Sequence, residues 1–113
     1  MKTICVPKDS LAQTRLDFDE AKPDELMELK IDDSIFKKLW DVGFFNSINK
    51  LTHSNIDNFE DECISERDQL MKVLNSNLFD KKLYAQELHQ VIDGINDLFT
   101  KAITYRTGIY FYF

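Results

Sequence analysis

A mainly α-helical fold in one compact domain is expected for this chain, on three observations. Its 113 residues allow one domain and hardly two. Its apolar fraction of 43% is that of ordinary globular proteins and is enough for one modest core. It has three Gly and two Pro, where a β-sandwich with a turn about every ten residues would use more of both. The alternative is an α+β fold in which the chain ends form a small sheet.

In chain order, Thr3–Val6 suits a short strand. Ser10 with Gln13 can cap a helix carrying Leu11, Thr14 and Phe18. Leu16-Asp-Phe18-Asp and Met27-Glu-Leu29-Lys-Ile31, however, alternate at the period of a strand, which leaves the first thirty residues open between the two. After Asp32-Asp33 a helix is predicted from Ile35, Phe36, Leu39 and Trp40, with Gly43 as its stop or kink. Phe44, Ile48 and Leu51 continue the pattern, so one bent helix or two short ones fit. A further helix is expected from Glu66 to Leu78, with Ser65 and Asp68 approximating a capping box and Leu70, Val73, Leu74 and Leu78 buried. The longest helix is expected from Lys81 to Thr104. There Tyr84, Leu88, Val91, Ile95, Leu98 and Ala102 recur at steps of four and three, and Ile92, Phe99 and Ile103 widen the stripe. Asp80 suits its start, Lys101 and Arg106 suit the negative end of its dipole, and Gly94 marks a kink or a close packing point. Thr107–Phe113 suits a last strand, because Ile109, Phe111 and Phe113 need cover.

The chemistry of known sites is missing from the pattern. Gly43, Gly94 and Gly108 are isolated, so neither a P-loop nor a dinucleotide fingerprint can be written. His89 and Asp93 stand four apart on the long helix and off its apolar stripe, the spacing of a solvated pair more than of a catalytic one. His53 sits in a polar run typical of a surface loop. The loops beginning at Asp57 and Asp17 lack the oxygen ligands and the glycine of a calcium-binding hand. Cys5, Cys63, His53 and His89 are too scattered for a structural zinc site. No catalytic residue, metal or cofactor is therefore expected, and the chain is read as non-enzymatic. The two cysteines are expected to be reduced, in a cytoplasmic protein without a signal-peptide core or a membrane-length apolar run.

Twenty acidic against fourteen basic residues leave a net charge of −6, which disfavours a nucleic-acid partner. That charge is segregated. Residues 17–33 hold eight acids against two lysines, and residues 57–68 hold six against one arginine, so the rest of the chain is net positive. Crowded carboxylates repel, and a cluster raises the question of what basic surface it meets. Within the second stretch Ile56, Phe59, Cys63 and Ile64 can anchor the segment to the core while Asp57, Glu60, Asp61 and Glu62 point outward. Glu66 and Asp68 sit where a helix dipole favours acids. A helix with an idle outer face fits the same residues.

Gly43-Phe44-Phe45-x-x-Ile48-Asn49 and Asn55-Ile56-Asp57-x-Phe59-Glu60-Asp61-Glu62-x-Ile64 resemble a segment of small bacterial toxin-immunity proteins, including the immunity partners of contact-dependent growth inhibition toxins. The resemblance covers residues 43–64. It implies a cytoplasmic inhibitor that binds one cognate toxin domain one-to-one, often a nuclease with a basic cleft. The surface facing that toxin would be Asp57, Glu60, Asp61, Glu62, Glu66 and Asp68, helped by Asp17, Asp19 and Glu20. The alternative function is an acidic adaptor or regulatory subunit without catalytic activity.

Overall fold

Both chain ends are short runs of mainly apolar and aromatic residues, and the two ends meet. In the computed structural model, which describes residues 1–113, Lys2–Pro7 forms β1 and Ile109–Tyr112 forms β4. They pair antiparallel, with Thr3 opposite Tyr112 and Cys5 opposite Tyr110. Leu26–Ile31 (β2) adds to the free side of β1, with Ile4 opposite Leu29. Glu62–Ile64 (β3) adds to the free side of β4, with Cys63 opposite Tyr110. The strand order is β2–β1–β4–β3, so the last strand of the chain lies inside the sheet.

The mainly α expectation is thereby corrected: the fold is α+β, with four antiparallel strands and five helices. A sheet made of the chain ends alone is also too small, because two internal strands flank them. The physical reason lies in the internal strands. β2 bears out the strand-period alternation of Met27-Glu-Leu29-Lys-Ile31, a signal left open because Leu, Met, Glu and Lys are also good helix formers and only pairing with β1 decides between the two. β3 is three residues inside an acidic stretch, too short to display a period.

The helices are Ser10–Asp17 (α1), Asp33–Asp41 (α2), Phe44–Thr52 (α3), Arg67–Leu74 (α4) and His89–Tyr105 (α5). Asp9, not Ser10, caps α1: its carboxylate accepts the Ala12 N–H at 2.7 Å. Asp32 does the same for Ile35 at 2.8 Å at the start of α2. Gly43 adopts φ +78°, a left-handed geometry that separates α2 from α3 as two helices. The chain leaves α4 at Leu74, where the Ser76 hydroxyl donates to the Val73 carbonyl at 2.6 Å. The long helix is shorter than expected. Asp80 caps a 3-10 turn at Lys81–Leu83 instead, Tyr84 is extended, and the Tyr84 hydroxyl donates to the Leu78 carbonyl at 2.6 Å.

One face of the sheet carries the core. Ile4, Val6, Ile31, Ile64, Ile109 and Phe111 join Leu39, Ile48, Leu70, Val73, Ile92 and Ile95 from the helices. Phe45 is the hub of an aromatic cluster, with ring centroids 5.8 Å from Phe36, 5.1 Å from Trp40, 6.4 Å from Phe111 and 5.0 Å from Phe113. Such pairs contribute about 0.5–1.5 kcal/mol each beyond the area they bury. Gly94 is a close packing point, since a Cβ there would come within 3.3 Å of the Leu29 side chain. The helix continues straight through it in hydrogen bonding, from His89 to Tyr105.

Beyond the last β1–β4 pair, the Thr107 hydroxyl, 3% exposed, donates to the Pro7 carbonyl at 2.8 Å. That bond joins residues a hundred positions apart and pins the entry of β4. Thr107→Val keeps the shape and removes the donor, so urea denaturation should show a loss of about 1–2 kcal/mol. An unchanged midpoint would mean that the bond holds nothing.

Candidate functional site

The parity of β4 divides its aromatics by chemistry. Ile109, Phe111 and Phe113 face the core, while Tyr110 and Tyr112 face the other side of the sheet. Cys5 and Cys63 lie opposite Tyr110 from either side and share that outer face. α1 lies across it: Ala12 is buried, the Gln13 amide donates to the Tyr110 hydroxyl at 3.3 Å, and that hydroxyl donates to Asp17 at 2.8 Å.

α1 then ends in a tight left-handed turn. The Asp19 N–H donates to the Leu16 carbonyl at 3.0 Å and the Glu20 N–H to the Arg15 carbonyl at 2.7 Å. Asp19 has φ +57°, where glycine is usual, at a cost of about 1–2 kcal/mol. The turn throws Asp17, Phe18, Asp19 and Glu20 outward, all exposed.

The second acidic stretch is held in place by polar clamps. Asn49 on α3 donates to the Ile56 carbonyl at 3.0 Å and accepts from the Ile56 N–H at 2.7 Å. Glu62 accepts the Asn55 N–H at 2.8 Å, and Asp57 accepts the Phe59 N–H at 3.0 Å across a turn closed by the Asp57–Glu60 bridge. Ile56 and Ile64 anchor the segment in the core as expected. Phe59 does not: it is 86% exposed at the tip of the turn.

Topology brings the two stretches together. Asp17 and Asp19 from the end of α1, and Asp61 and Glu62 from the approach to β3, line a groove of about 330 Å³ whose other walls include Tyr110 and Tyr112. Asp57 and Glu60 stand on the adjoining turn, and Glu20 on the turn after α1. Glu66 and Asp68 are elsewhere, at the start of α4 beyond the far end of β3. None of these nine acids forms an ion pair, although Asp33, Glu25, Asp41, Glu87 and Asp93 all do.

The titrating groups register this surrounding. Burial pushes the Tyr112 phenol above its ordinary 10.0, and the charges of Cys5, Asp61 and Asp19 push it the same way. Tyr110 is raised by burial, with Asp17 as the acceptor that favours its neutral form. Burial, with Glu28 and Cys63 nearby, pushes the Cys5 thiol from 9.0 up to about 12. Cys63 is raised too, again chiefly by burial. The cysteines are free, and with β4 between their strands they are held about 10 Å apart, beyond disulfide reach.

The remaining sequence candidates are dispersed. His89 donates from Nε2 to the Tyr84 carbonyl at 3.1 Å, while Asp93 pairs with Lys81 at 3.2 Å, so no His–Asp pair forms. His53 closes the end of α3 with φ +54°. No group of three His, Cys, Asp or Glu residues is arranged to hold a metal. The largest cavity, about 540 Å³, lies between α4 and the end of α5 beside Arg67 and Arg106, and none of the nine acids lines it. No helix is long and apolar enough to cross a membrane. Three parts of the site escaped sequence reasoning: Asn49 as a clamp, and Phe18 and Tyr112 as surface aromatics. The alternation of Tyr with Phe in Ile109-Tyr-Phe-Tyr-Phe113 was the one available signal for the tyrosines.

Two outcomes follow from the geometry. Asp19→Gly should raise stability by about 1 kcal/mol, by relieving the left-handed strain, while removing a groove carboxylate. Thermal unfolding of the variant measures the first effect, and an unchanged or lower midpoint would contradict it. The buried thiols and phenols stay protonated in the fold at pH values where they ionise in the unfolded chain. For Cys5, stability should therefore fall as pH rises from its ordinary 9.0 toward about 12, by about 1.4 kcal/mol per pH unit. Urea midpoints followed from about pH 8 to about pH 11 should decline, and less steeply for Cys5→Ala. No protein-family model, curated protein or solved structure matches the chain.

Proposed function

We propose that this protein is a non-catalytic inhibitor of the toxin-immunity kind, acting in the cytoplasm. It would bind one cognate toxin domain, a nuclease with a basic cleft, by offering that cleft the groove between α1 and β3. One observation carries the reading. The two segments whose carboxylates line the groove also carry two exposed aromatics, Phe18 at 71% exposure and Phe59 at 86%. Protein interfaces concentrate affinity in a few aromatic anchors and draw speed and partner choice from charge around them. Asp17, Asp19, Glu20, Asp57, Glu60 and Asp61 are exposed on the same two segments, and none of them forms an ion pair within the chain. Such a set of charges can take the places of substrate phosphates in a basic cleft.

The clamps on the 55–62 turn favour the same reading. A partner site held rigid before binding loses less entropy on association. Asn49 and Glu62 supply that rigidity by binding backbone atoms of Ile56 and Asn55. Glu62 is therefore a positioning residue more than a contact. Glu66 and Asp68, beyond the far end of β3, are assigned to the dipole of α4.

The test is co-expression with the C-terminal domain encoded by the gene immediately upstream, where an immunity gene follows its toxin. The protein should relieve growth arrest and co-purify one-to-one with that domain. The triple variant Asp19→Lys, Glu60→Lys, Asp61→Lys alters exposed positions only and should fold, as circular dichroism would show. Its affinity should drop by about 100-fold or more, roughly 2.7 kcal/mol. Phe18→Ala with Phe59→Ala should weaken binding without changing its salt dependence. A folded triple variant of unchanged affinity would overturn the site. A basic but harmless partner would favour an adaptor over an inhibitor.

A further inference from the structure

The sheet has a second open feature, at the edge farthest from the groove. β2 is a six-residue edge strand, and half of its backbone groups point away from β1. Which half follows from two bonds. The Lys8 N–H donates to the Glu25 carbonyl at 2.9 Å, which sets even-numbered residues of β1 to bond β2. The Pro7 carbonyl accepts from Thr107 on the β4 side, which sets odd-numbered ones to bond β4. In the β1–β2 register, Met27, Leu29 and Ile31 then bond β1, and the N–H and C=O groups of Leu26, Glu28 and Lys30 face outward. No backbone or side-chain group of the chain outside the β1–β2 ladder bonds any residue from Leu26 to Lys30, apart from the Leu26 N–H, which closes the preceding 3-10 turn on Pro23.

We propose that β2 pairs antiparallel with β2 of a second copy, across a two-fold axis at Leu29, to make a continuous eight-stranded sheet. The sequence of the strand selects this register. With the axis at Leu29, Glu28 lies opposite Lys30 of the second copy and Lys30 opposite its Glu28, on the outer face. Both are hydrogen-bonded pairs, the geometry that the outward-facing backbone groups require. Moving the axis to Glu28 sets two like charges opposite each other, and moving it to Lys30 sets two others, arrangements that destabilise a pair of strands. Glu28 and Lys30 are exposed and have no ion-pair partner within their own chain.

The inner face matches as well. The same register sets Leu29 against Leu29 and Met27 against Ile31 of the second copy. Beside β2 runs a groove of about 260 Å³ whose apolar walls are Leu29, Ile31, Ile35 and Val91 and whose polar rim includes Glu87 and Gln90; the apolar part would take the incoming Met27. A two-fold axis normal to the sheet keeps the outer face of both copies on one side. The acidic groove sits at β3, the opposite edge, so the dimer leaves it open and presents two of them.

A single strand pair buries an interface at the small end of those that are stable, so association is expected to depend on concentration. Sedimentation equilibrium of the purified chain from about 1 µM to about 1 mM should show its mass rise from 13.3 kDa toward twice that value. Glu28→Lys alone sets Lys opposite Lys, and Lys30→Glu alone sets Glu opposite Glu. Each should stay monomeric at concentrations where the native chain dimerises. The double variant Glu28→Lys, Lys30→Glu restores both pairs and should dimerise again, and so should an equimolar mixture of the two single variants. Exposed positions at a strand edge leave the fold intact, which circular dichroism checks. A native chain that stays at 13.3 kDa throughout, or single variants that dimerise as well as the native chain, would overturn the proposal. Neither result bears on toxin binding at the other edge.

Discussion

The structure depends on one placement: the last strand of the chain lies in the middle of the sheet. β4 is bonded to β1 on one side and β3 on the other, so the first and last residues of the chain must find each other before the sheet exists. On the core side its Phe111 packs against Phe45 and Phe99, and Phe113 extends the contact to Phe36. Closing so long a loop costs conformational entropy before any contact repays it. The aromatic cluster is what offsets that cost. A chain end rich in exposed aromatics would invite aggregation, and a central, doubly paired position removes the hazard.

The same placement makes the groove. Because Phe111 and Phe113 point inward, Tyr110 and Tyr112 must point outward, where α1 can cross them and end at Asp17 and Asp19. Because β3 pairs with β4 and not elsewhere, the acids that precede it arrive at the same spot. Sequence distance between the two acidic stretches is thereby erased. The cost is repulsion of up to about 1 kcal/mol for each close pair in water, together with the strained turn at Asp19. Asp33, Glu25, Asp41, Glu87 and Asp93 elsewhere on the surface find lysines, an arginine or the N-terminus, and none of the groove acids does. Unpaired carboxylates and two exposed phenylalanines on the same two segments are the features on which the proposed partner surface rests.

Legibility in the sequence followed the strength of local signals. The stripe from Ile92 to Ala102 and the break at Gly43 were readable, because helical period and left-handed glycine are decided within a few residues. The terminal strands were readable from alternation. β2 was readable only as one of two alternatives: Met27-Glu-Leu29-Lys-Ile31 alternates at the period of a strand, but Leu, Met, Glu and Lys also favour a helix, and the neighbouring strand decides the choice. Asp9 displaced Ser10 as a cap by one position, within the usual play of helix ends. For the site, the crowding of acids was visible as a count, but their meeting was not, because it requires the order β1–β4–β3. Phe59 and Ile56 look alike in the sequence. What separates them is that Asn49 clamps the backbone of Ile56 and leaves Phe59 beyond the clamp, on the turn.

Both surfaces of interest sit at opposite ends of one sheet, the groove at β3 and the self-complementary edge at β2. That separation lets a hydrogen-exchange footprint decide the central claim, that the basic partner is met by the converging acidic segments. Exchange of backbone amides would be compared for the free protein and for its complex with the upstream-encoded domain. Slowed exchange is expected at residues 18–20 and 58–61, with the β2 edge unchanged. Protection confined to α2, α5 or β2, with both acidic segments exchanging as in the free protein, would contradict it.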